Sequence, residues 1–324
     1  MGRTGVWLIG AQGSLASTVV TGARAIARGL AGRGALVTEL PELRGLAFVG
    51  FEDLVFGGWD IAPTGLLARA RAMEIDDRAL PSGLVAALDD DLAVVEGRVR
   101  PGFLDGGGPA TRALASQRFI GKRESLAVVA QRLGDDLDRF RAEHTLETVV
   151  VVNLASTEAS IPLGPEHRRL ESFRRILQTN QRARLTPSML YAYAALERGY
   201  PYINFTPSLG ISLPALQELG HKHHVPFFGS DGKTGETLMK TVLAPLFRYR
   251  NLEVMSWEGF NILGGGDGRV LDDPRHKRSK VRSKSGVLAS SLPSLEPPAP
   301  TSRARMRQMH TAHTPRGGLA RRPR

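Results

Sequence analysis

The sequence predicts an α/β fold in which a doubly wound parallel sheet carries helices on both faces and a basic tail follows. Three observations predict it. Short apolar runs alternate with segments of helical periodicity. A glycine-rich turn joins the first run to the first helical segment. The β-branched run at 149–152 is apolar throughout, which is typical of a parallel strand buried on both faces.

The elements of the N-terminal half follow this alternation. Residues 6–9 form a short apolar run, and 17–28 are compatible with a helix. Further apolar runs lie at 46–51 and 54–56, and the latter leads into a Gly-Gly-Trp-Asp segment. Residues 125–144 are predicted to be a helix, because apolar residues recur there at helical spacing. These apolar residues are Leu126, Val129, Leu133, Leu137 and Phe140.

The C-terminal half continues the pattern. Thr186 as N-cap and Pro187 in the first turn predict a helix over 187–196. Further predicted helices lie at 214–219 and 236–247, and predicted strands at 225–228 and 252–257. From about residue 291 the apolar periodicity ends. Such a segment cannot offset its ordering entropy by burial, so 291–324 is predicted to be a disordered basic tail.

Composition excludes several classes of protein. The 324 residues include no cysteine, which excludes disulfides, thiolate metal sites and a cysteine nucleophile. The first apolar run is too short to span a membrane and lacks the framing of a secretion signal. We therefore expect a cytoplasmic protein without a membrane partner.

The positive charge is concentrated in two places. The net charge is +11, and seven arginines with no acidic residue lie within 297–324. A second cluster at 275–284 holds six Lys or Arg residues. Because the charge is local and lacks an aromatic platform, we expect no nucleic-acid partner. The cluster at 275–284 is either a solvated face or a basic segment that closes over a sugar phosphate.

The first motif is the glycine-rich turn with Gly10, Gly13 and Ala16 between strand and helix. Such a turn lets a dinucleotide pyrophosphate approach the helix N-terminus, as in a Rossmann-like domain. Gln12 stands where that motif has its middle glycine, so an ordinary strand-to-helix turn is the alternative. Candidates for binding the ribose are Glu52, Asp53 and Asp60.

Two further segments carry polar groups that could bind a ligand. At 152–158, small and hydroxyl side chains stand where ligands of open α/β sheets bind, and a plain polar loop is the alternative. At 204–210, an amide, hydroxyls and backbone N–H groups precede a helix. That arrangement suits a phosphate or a sugar, and it suits a turn with an N-cap equally well.

The loop at 229–237 places Lys233 and Thr234 between a strand and a helix start. The backbone amides and the helix dipole favour an anion there, and the lysine can stabilise a developing oxyanion. A surface lysine in a turn is the alternative. Three nearby histidines are not expected to bind a metal, because they stand at a helix end without a carboxylate. They are His221, His223 and His224.

Taken in order, these segments resemble the myo-inositol-1-phosphate synthase family. Residues 10–18 resemble the family's G-x-G-G-N-N-G-S-T, and 57–61 are identical to its G-G-W-D-I. Residues 152–158 are similar to V-N-W-T-A-N-T-E, and 229–243 are strongly similar to G-D-D-x-K-S-G-Q-T-K-x-K-S-V-L. Residues 204–216 and 261–284 resemble the family's remaining motifs, N-G-S-P-Q-N-T-x-V-P-G-L and N-H-L-G-N-N-D-G with S-K-x-x-S-K.

The resemblance implies a domain organisation and a reaction. Residues 1–186 would form a Rossmann-like NAD-binding domain, and 187–290 an inserted α+β domain for catalysis and oligomerisation, in a homotetramer. With NAD, the enzyme would oxidise C5 of open-chain glucose 6-phosphate, close the ring by attack of C6 on the C1 aldehyde, and reduce C5 again. The product would be 1D-myo-inositol 3-phosphate, so the enzyme would be an isomerase.

The resemblance also implies site residues. Those expected in catalysis are Lys233, Lys240, Lys280, Lys284 and Asp231. Those expected to bind NAD are Gly10, Gly13, Ser14, Leu15, Asp60, Ala155, Ser156, Thr157 and Asp267. Those expected to bind the substrate and its phosphate are Asn204, Ser208, Gly210 and Thr234.

The chain departs from the family pattern in two places. Leu238 stands where the family has a second lysine. From residue 291 the sequence lacks the segment with which the family completes its Rossmann domain. The alternative function is therefore that of a catalytically impaired NAD-binding paralogue or a related sugar-phosphate cyclase. A frameshift near residue 291 would explain the tail, and it predicts that another reading frame encodes a family-like C-terminus.

Overall fold

The computed structural model describes residues 2–116, 120–121, 123–232, 235–252 and 274–276. Within them, six parallel strands form one sheet in the order β3-β2-β1-β4-β5-β6. The strands are β1 (Thr4–Ile9), β2 (Leu54–Asp60), β3 (Val99–Pro101), β4 (Thr148–Asn153), β5 (Tyr202–Asn204) and β6 (Phe227–Phe228). This order confirms the predicted doubly wound α/β fold, because the chain runs outward from β1 in both directions.

The structure gives the bounds of ten α-helices within the described residues. They are α1 (Ser14–Ala27), α2 (Leu66–Ile75), α3 (Leu84–Ala87), α4 (Asp89–Glu96), α5 (Pro109–Leu114), α6 (Leu126–Glu143), α7 (Leu170–Gln178), α8 (Pro187–Glu197), α9 (Pro214–Lys222) and α10 (Gly235–Tyr249). None of these is long and apolar enough to cross a membrane. The chain divides into a compact unit that ends at Gly232 and a second unit that begins at Lys233 and contains α10.

The central strand, β1, directs alternate side chains to opposite faces of the sheet. Trp7 and Ile9 join a core with residues of α6, α7, α8 and α9. Leu8 joins a second core with residues of α1, α2 and α4. The continuous apolar runs of the sequence are therefore explained by burial of the sheet on both faces.

The predicted helix at 125–144 is confirmed as α6, and its start has a clear local cause. The Ser125 side chain caps the helix by accepting a hydrogen bond from the Val128 backbone N–H at 3.4 Å. Leu126, Val129 and Leu133 are fully buried in the first core. The predicted apolar stripe is thus the buried face of the helix.

One apolar run does not form the strand that its composition favours. Residues 46–50 are outside any strand, and Leu46 and Phe48 are about half exposed. The place beside β1 is instead taken by β2, whose Gly57 and Gly58 face Trp7 and Leu8 in register. Glycine allows this close approach, so a run that contains two glycines forms the more central strand.

The first compact unit extends past the domain boundary predicted at residues 186 and 187. Helix α8 contributes to the first core, and β5 and β6 extend the same sheet as β1. The two compact units divide after Gly232, and the division into a cofactor domain and a catalytic domain at residues 186 and 187 stays a prediction. Residues 117–119, 253–273 and 277–324 lie outside the described residues, and with them most of the predicted strand at 252–257 and the whole predicted tail.

Two hydroxyl groups on α1 are buried against the second core. Ser17 and Thr21 are 0% exposed, and their hydroxyl oxygens have no hydrogen-bond partner within the described part of the chain. A buried hydroxyl without a partner costs stability. We expect Thr21→Val, which keeps the shape and removes the hydroxyl, to raise the free energy of unfolding by about 1 kcal/mol. Urea denaturation measures this, and an unchanged or lower value would contradict it.

Candidate functional site

A cavity opens at the carboxyl ends of β1, β2 and β4, where the chain order of the sheet reverses. Ligands of open α/β sheets bind at this position. The empty space within it, including solvent at its open mouth, is about 430 Å³. It is lined by Ile9, Gly10, Trp59, Asp60, Ile61, Phe103, Leu104, Thr111, Asn153, Ala155, Ser156, Glu158, Pro187 and Tyr191.

The glycine-rich turn forms one wall of this cavity. The N–H groups of Gly10 and Ala11 both donate to the Trp59 carbonyl, at 2.9 and 3.2 Å. Gly10 has φ +80°, and a Cβ there would lie 2.9 Å from the Ala155 Cα. Glycine is therefore required at position 10 for two reasons. The backbone there is left-handed, and a side chain would collide with the loop after β4.

Helix α1 begins directly after this turn. Its N-cap is Gly13, which has no side chain to cap the helix, and its first turn contains no acidic residue. Ser14 and Leu15 are its first two residues, and Leu15 is 52% exposed. The partial positive charge of the helix N-terminus is thus available to an anion.

Asp60, at the end of β2, holds the turn in place. One carboxylate oxygen accepts the Gln12 N–H at 2.6 Å. The other accepts the N–H groups of Ile61 and Ala62, each at 2.7 Å. Burial raises the pKa of Asp60, and the hydrogen bonds from these amides oppose that shift. The alternative ribose candidates, Glu52 and Asp53, lie before β2 at its opposite end.

The loop after β4 forms the facing wall. The Leu154 N–H donates to the Ile9 carbonyl at 3.0 Å, and the Ala155 N–H donates to Asn153 Oδ1 at 3.2 Å. Ala155 and Ser156 line the cavity, whereas Thr157 is 3% exposed and does not line it. Four of the residues predicted to bind NAD therefore meet at one cavity: Gly10, Asp60, Ala155 and Ser156.

The loop after β5 is a closed polar network. Asn204 Nδ2 donates to the Ser208 carbonyl at 2.8 Å, and Asn204 Oδ1 accepts the Thr206 hydroxyl at 2.7 Å. Asn204 and Ser208 are buried, and the Gly210 N–H donates to Ser188 Oγ at 3.2 Å. These contacts make the predicted substrate residues part of the loop's own framework, and their binding role stays a prediction.

The chain after β6 returns to this same end of the sheet. Gly229 has φ +92°, and a Cβ there would lie 2.4 Å from the Asn204 carbonyl oxygen. The Asp231 N–H donates to that oxygen at 3.4 Å, and the Gly232 N–H donates to the Phe205 carbonyl at 3.2 Å. The backbone of Asp231, a predicted catalytic residue, is thereby held beside the end of β5.

Several predicted site residues cannot be placed relative to the cavity. Lys233, Thr234, Asp267, Lys280 and Lys284 lie outside the described residues. In the second unit, Lys240 lies on α10 and is 1% exposed. Leu238 lies on the same helix and is 48% exposed.

Sequence reasoning did not identify the floor of the cavity. The ring of Tyr191 stacks on Trp59 with centroids 5.1 Å apart. Its hydroxyl accepts the Phe103 N–H at 2.5 Å and donates to the Phe103 carbonyl at 3.2 Å. Burial raises the pKa of Tyr191 above its usual range, so this hydroxyl stays protonated. No local motif marks Tyr191, because its neighbours come from distant segments.

Glu158 is a second feature of the cavity that sequence reasoning left without a role. Its side chain is buried, and Oε1 accepts the Ser188 N–H at 2.6 Å while Oε2 accepts the Ser188 hydroxyl at 2.6 Å. Burial raises the pKa of this carboxyl. Among the residues that the structure describes, no group of three His, Asp or Glu side chains has the arrangement of a metal site.

Comparison with known proteins supports one family. The family model described as myo-inositol-1-phosphate synthase, an NAD-binding model, matches residues 38–293. Inositol-3-phosphate synthase 1 of Bacteroides thetaiotaomicron is 35% identical over 298 residues, which cover 89% of this chain and 67% of that protein. Inositol-3-phosphate synthase of Spirodela polyrhiza is 30% identical over 75% of this chain and 46% of its own length.

A solved structure shows the same fold. The crystal structure of inositol-3-phosphate synthase from Caenorhabditis elegans superposes with a TM-score of 0.79 at 22% identity. The match covers 89% of this chain and 60% of that one. The chain thus spans between about half and two thirds of the length of the proteins it resembles.

Proposed function

Because the chain belongs to the myo-inositol-1-phosphate synthase family, we propose that it converts D-glucose 6-phosphate to 1D-myo-inositol 3-phosphate with NAD as cofactor. The observation that carries this proposal is the cavity at the reversal of strand order. There the glycine-rich turn and the loop after β4 face each other. The reaction would involve no net oxidation, since the hydride removed from C5 is later returned to C5.

The residues in and beside the cavity suit a dinucleotide. The first turn of α1, which begins with Ser14 and Leu15 after the N-cap Gly13, has no acidic residue to repel a pyrophosphate. Asp60 would bind the ribose, and Ala155 and Ser156 would hold the cofactor from the loop after β4. Bound NAD supplies the hydride acceptor and donor. In this proposal Thr157 and Asp267 complete the cofactor site.

We assign the remaining catalytic steps, charge stabilisation and proton transfer, to positive side chains and one carboxylate. Ring closure develops negative charge on the C5 and C1 oxygens, which positive side chains stabilise. We assign that role to Lys233, Lys240, Lys280 and Lys284, and proton transfer to Asp231. Binding of the substrate and its phosphate is assigned to Asn204, Ser208, Gly210 and Thr234. Residues 187–290 would form the catalytic and oligomerisation part of a cytoplasmic homotetramer.

One observation favours a second candidate, a catalytically impaired NAD-binding paralogue or a related sugar-phosphate cyclase. Leu238 stands where the family motif has a lysine, and its side chain is 48% exposed. Incubation with glucose 6-phosphate and NAD, followed by chromatography of inositol phosphates, separates the two candidates. Protein that binds NAD but forms no inositol phosphate supports the second candidate.

A glycine substitution tests the cofactor site itself. We expect Gly10→Ala to weaken NAD binding at least about tenfold, because the methyl group displaces the glycine-rich turn from the Ala155 backbone. Isothermal titration measures the affinity. Gly29→Ala is the matched control: Gly29 also has positive φ, at +70°, but a Cβ there meets nothing within 4 Å. Equal NAD affinity in wild type and Gly10→Ala would contradict the assignment.

A further inference from the structure

Glu158 is a buried carboxyl group that the proposed chemistry does not use. It is 7% exposed, and both of its oxygens are bound to one residue, Ser188, through the backbone N–H and the hydroxyl at 2.6 Å each. Ser188 is the second residue of α8, where the helix dipole favours a negative or strongly accepting group. The Thr186 hydroxyl lies 3.2 Å from the Ser188 hydroxyl, and either of the two can donate.

Glu158 and Ser188 also contact the loop after β5. The Glu158 backbone N–H donates to Ser208 Oγ at 3.1 Å, and the Gly210 N–H donates to Ser188 Oγ at 3.2 Å. Three segments that are far apart in the sequence therefore meet at the Glu158–Ser188 pair. They are the loop after β4, the start of α8 and the loop after β5.

Two of these segments form walls of the cavity. Ala155 and Ser156 line it from the loop after β4, and Pro187 and Tyr191 line it from α8. The loop after β4 is anchored to β1 by the bond from the Leu154 N–H to the Ile9 carbonyl. The N-terminus of α8 is joined to that loop through Glu158. The pair thus connects two walls of the cavity.

We propose that Glu158 is a positioning residue, which through Ser188 holds the N-terminus of α8 against the loop after β4 and so sets the width of the cavity for NAD. This inference rests on the proposed function, because it takes NAD as the occupant. Glu158 itself lines the cavity whereas Ser188 does not, so a substitution at Ser188 tests the action through the helix wall. Loss of the pair should weaken NAD binding even in protein that is fully folded.

The experiment compares NAD affinity by isothermal titration at a temperature where thermal unfolding shows every variant to be folded. Ser188→Ala removes the hydroxyl that joins Glu158 to Gly210, and we expect the Kd for NAD to rise about tenfold. Glu158→Ala should have at least the same effect. Glu158→Gln keeps an acceptor for the Ser188 N–H and should restore the affinity to within about threefold of wild type.

His167→Ala is the matched control. His167 is 1% exposed and joins two segments of the same unit, since Nδ1 accepts the Gly164 N–H at 3.0 Å and Nε2 bonds to the Arg184 carbonyl at 2.8 Å. It does not line the cavity. Its loss should lower stability without changing the Kd for NAD.

The outcomes separate this inference from the proposed function. If wild type binds NAD and Ser188→Ala binds it equally well, the positioning role is overturned and the proposed function stands. If His167→Ala weakens NAD binding as much as Ser188→Ala, the effect is general destabilisation, and the positioning role is again overturned. If wild type does not bind NAD, the proposed function fails and the positioning role fails with it.

Discussion

Gly58→Ala is expected to lower the free energy of unfolding by about 3 kcal/mol, because overpacking at a rigid backbone cannot be relieved by a side-chain rotation. Gly58 lies in β2 opposite Leu8 of β1. A Cβ at Gly58 would lie 2.1 Å from the Leu8 carbonyl oxygen and 2.7 Å from the Ala11 Cβ. The two central strands would have to separate. Because Ala11 lies in the glycine-rich turn, which forms a wall of the cavity, the cavity would be distorted as well.

Guanidinium denaturation measures this loss, and Gly22→Ala provides the control. Gly22 lies inside α1, where a Cβ meets nothing within 4 Å. Alanine there should raise stability by about 0.5–1 kcal/mol, since glycine is unfavourable within a helix. A Gly58→Ala variant as stable as wild type would show that β1 and β2 are not packed as described.

Glu158→Ala is the second substitution with a large expected effect, a loss of about 3 kcal/mol in the free energy of unfolding. The change leaves the Ser188 N–H and hydroxyl without their acceptor in a buried place, and it opens a cavity. Glu158→Gln should lose much less, because the amide keeps the volume and one acceptor oxygen. Equal losses of free energy of unfolding in Glu158→Ala and Glu158→Gln would contradict the hydrogen-bonding role of Glu158.

The pH dependence of stability gives Glu158 a distinct signature. Burial raises the pKa of Glu158 above its ordinary value of 4.5. The folded protein thus binds this proton more tightly than the unfolded chain does. The resulting stabilisation is present below pH 4.5 and is lost as the pH rises through the folded-state pKa. Wild type loses this stabilisation as the pH rises from 4.5, whereas Glu158→Gln has no carboxyl group to lose a proton. The free energy of unfolding of Glu158→Gln should therefore increase relative to that of wild type.

Denaturation curves at a series of pH values, starting near pH 4.5, measure the difference in free energy of unfolding between wild type and Glu158→Gln. Glu171→Gln serves as the control, because the Glu171 side chain is 88% exposed. Its stability should follow that of wild type across the range. If the difference between wild type and Glu158→Gln does not change with pH, the carboxyl does not titrate with a raised pKa.

The sheet was predictable from the sequence because its strands are buried on both faces. The run at 149–152 and the turn with Gly10 have local patterns that leave few alternatives, and the structure confirms β4 and the β1–α1 turn. The run at 46–51 was misleading, since apolar composition alone does not decide which segment pairs with β1. That choice depends on the close approach allowed by Gly57 and Gly58.

The site was less predictable because its contacts join distant segments. Asp60 is recognisable as an acid at a strand end, but its bond to the Gln12 N–H could not be inferred from either segment alone. Glu158 belongs to a motif, yet its partner Ser188 is 30 positions away. Local sequence patterns identify loops at the ends of strands, whereas the pairing of buried polar groups is determined by tertiary packing.

The central position of β1 has a consequence for synthesis on the ribosome. Strand β2 follows β1 early, but the strand on the other side of β1 is β4. Beside that pair, the Gly2 N–H bonds to the Glu147 carboxylate across 145 positions. Until residue 153 has left the ribosome, one edge of β1 stays open to pairing with other nascent chains. A chaperone that shields β1 during this interval would raise the yield of folded protein.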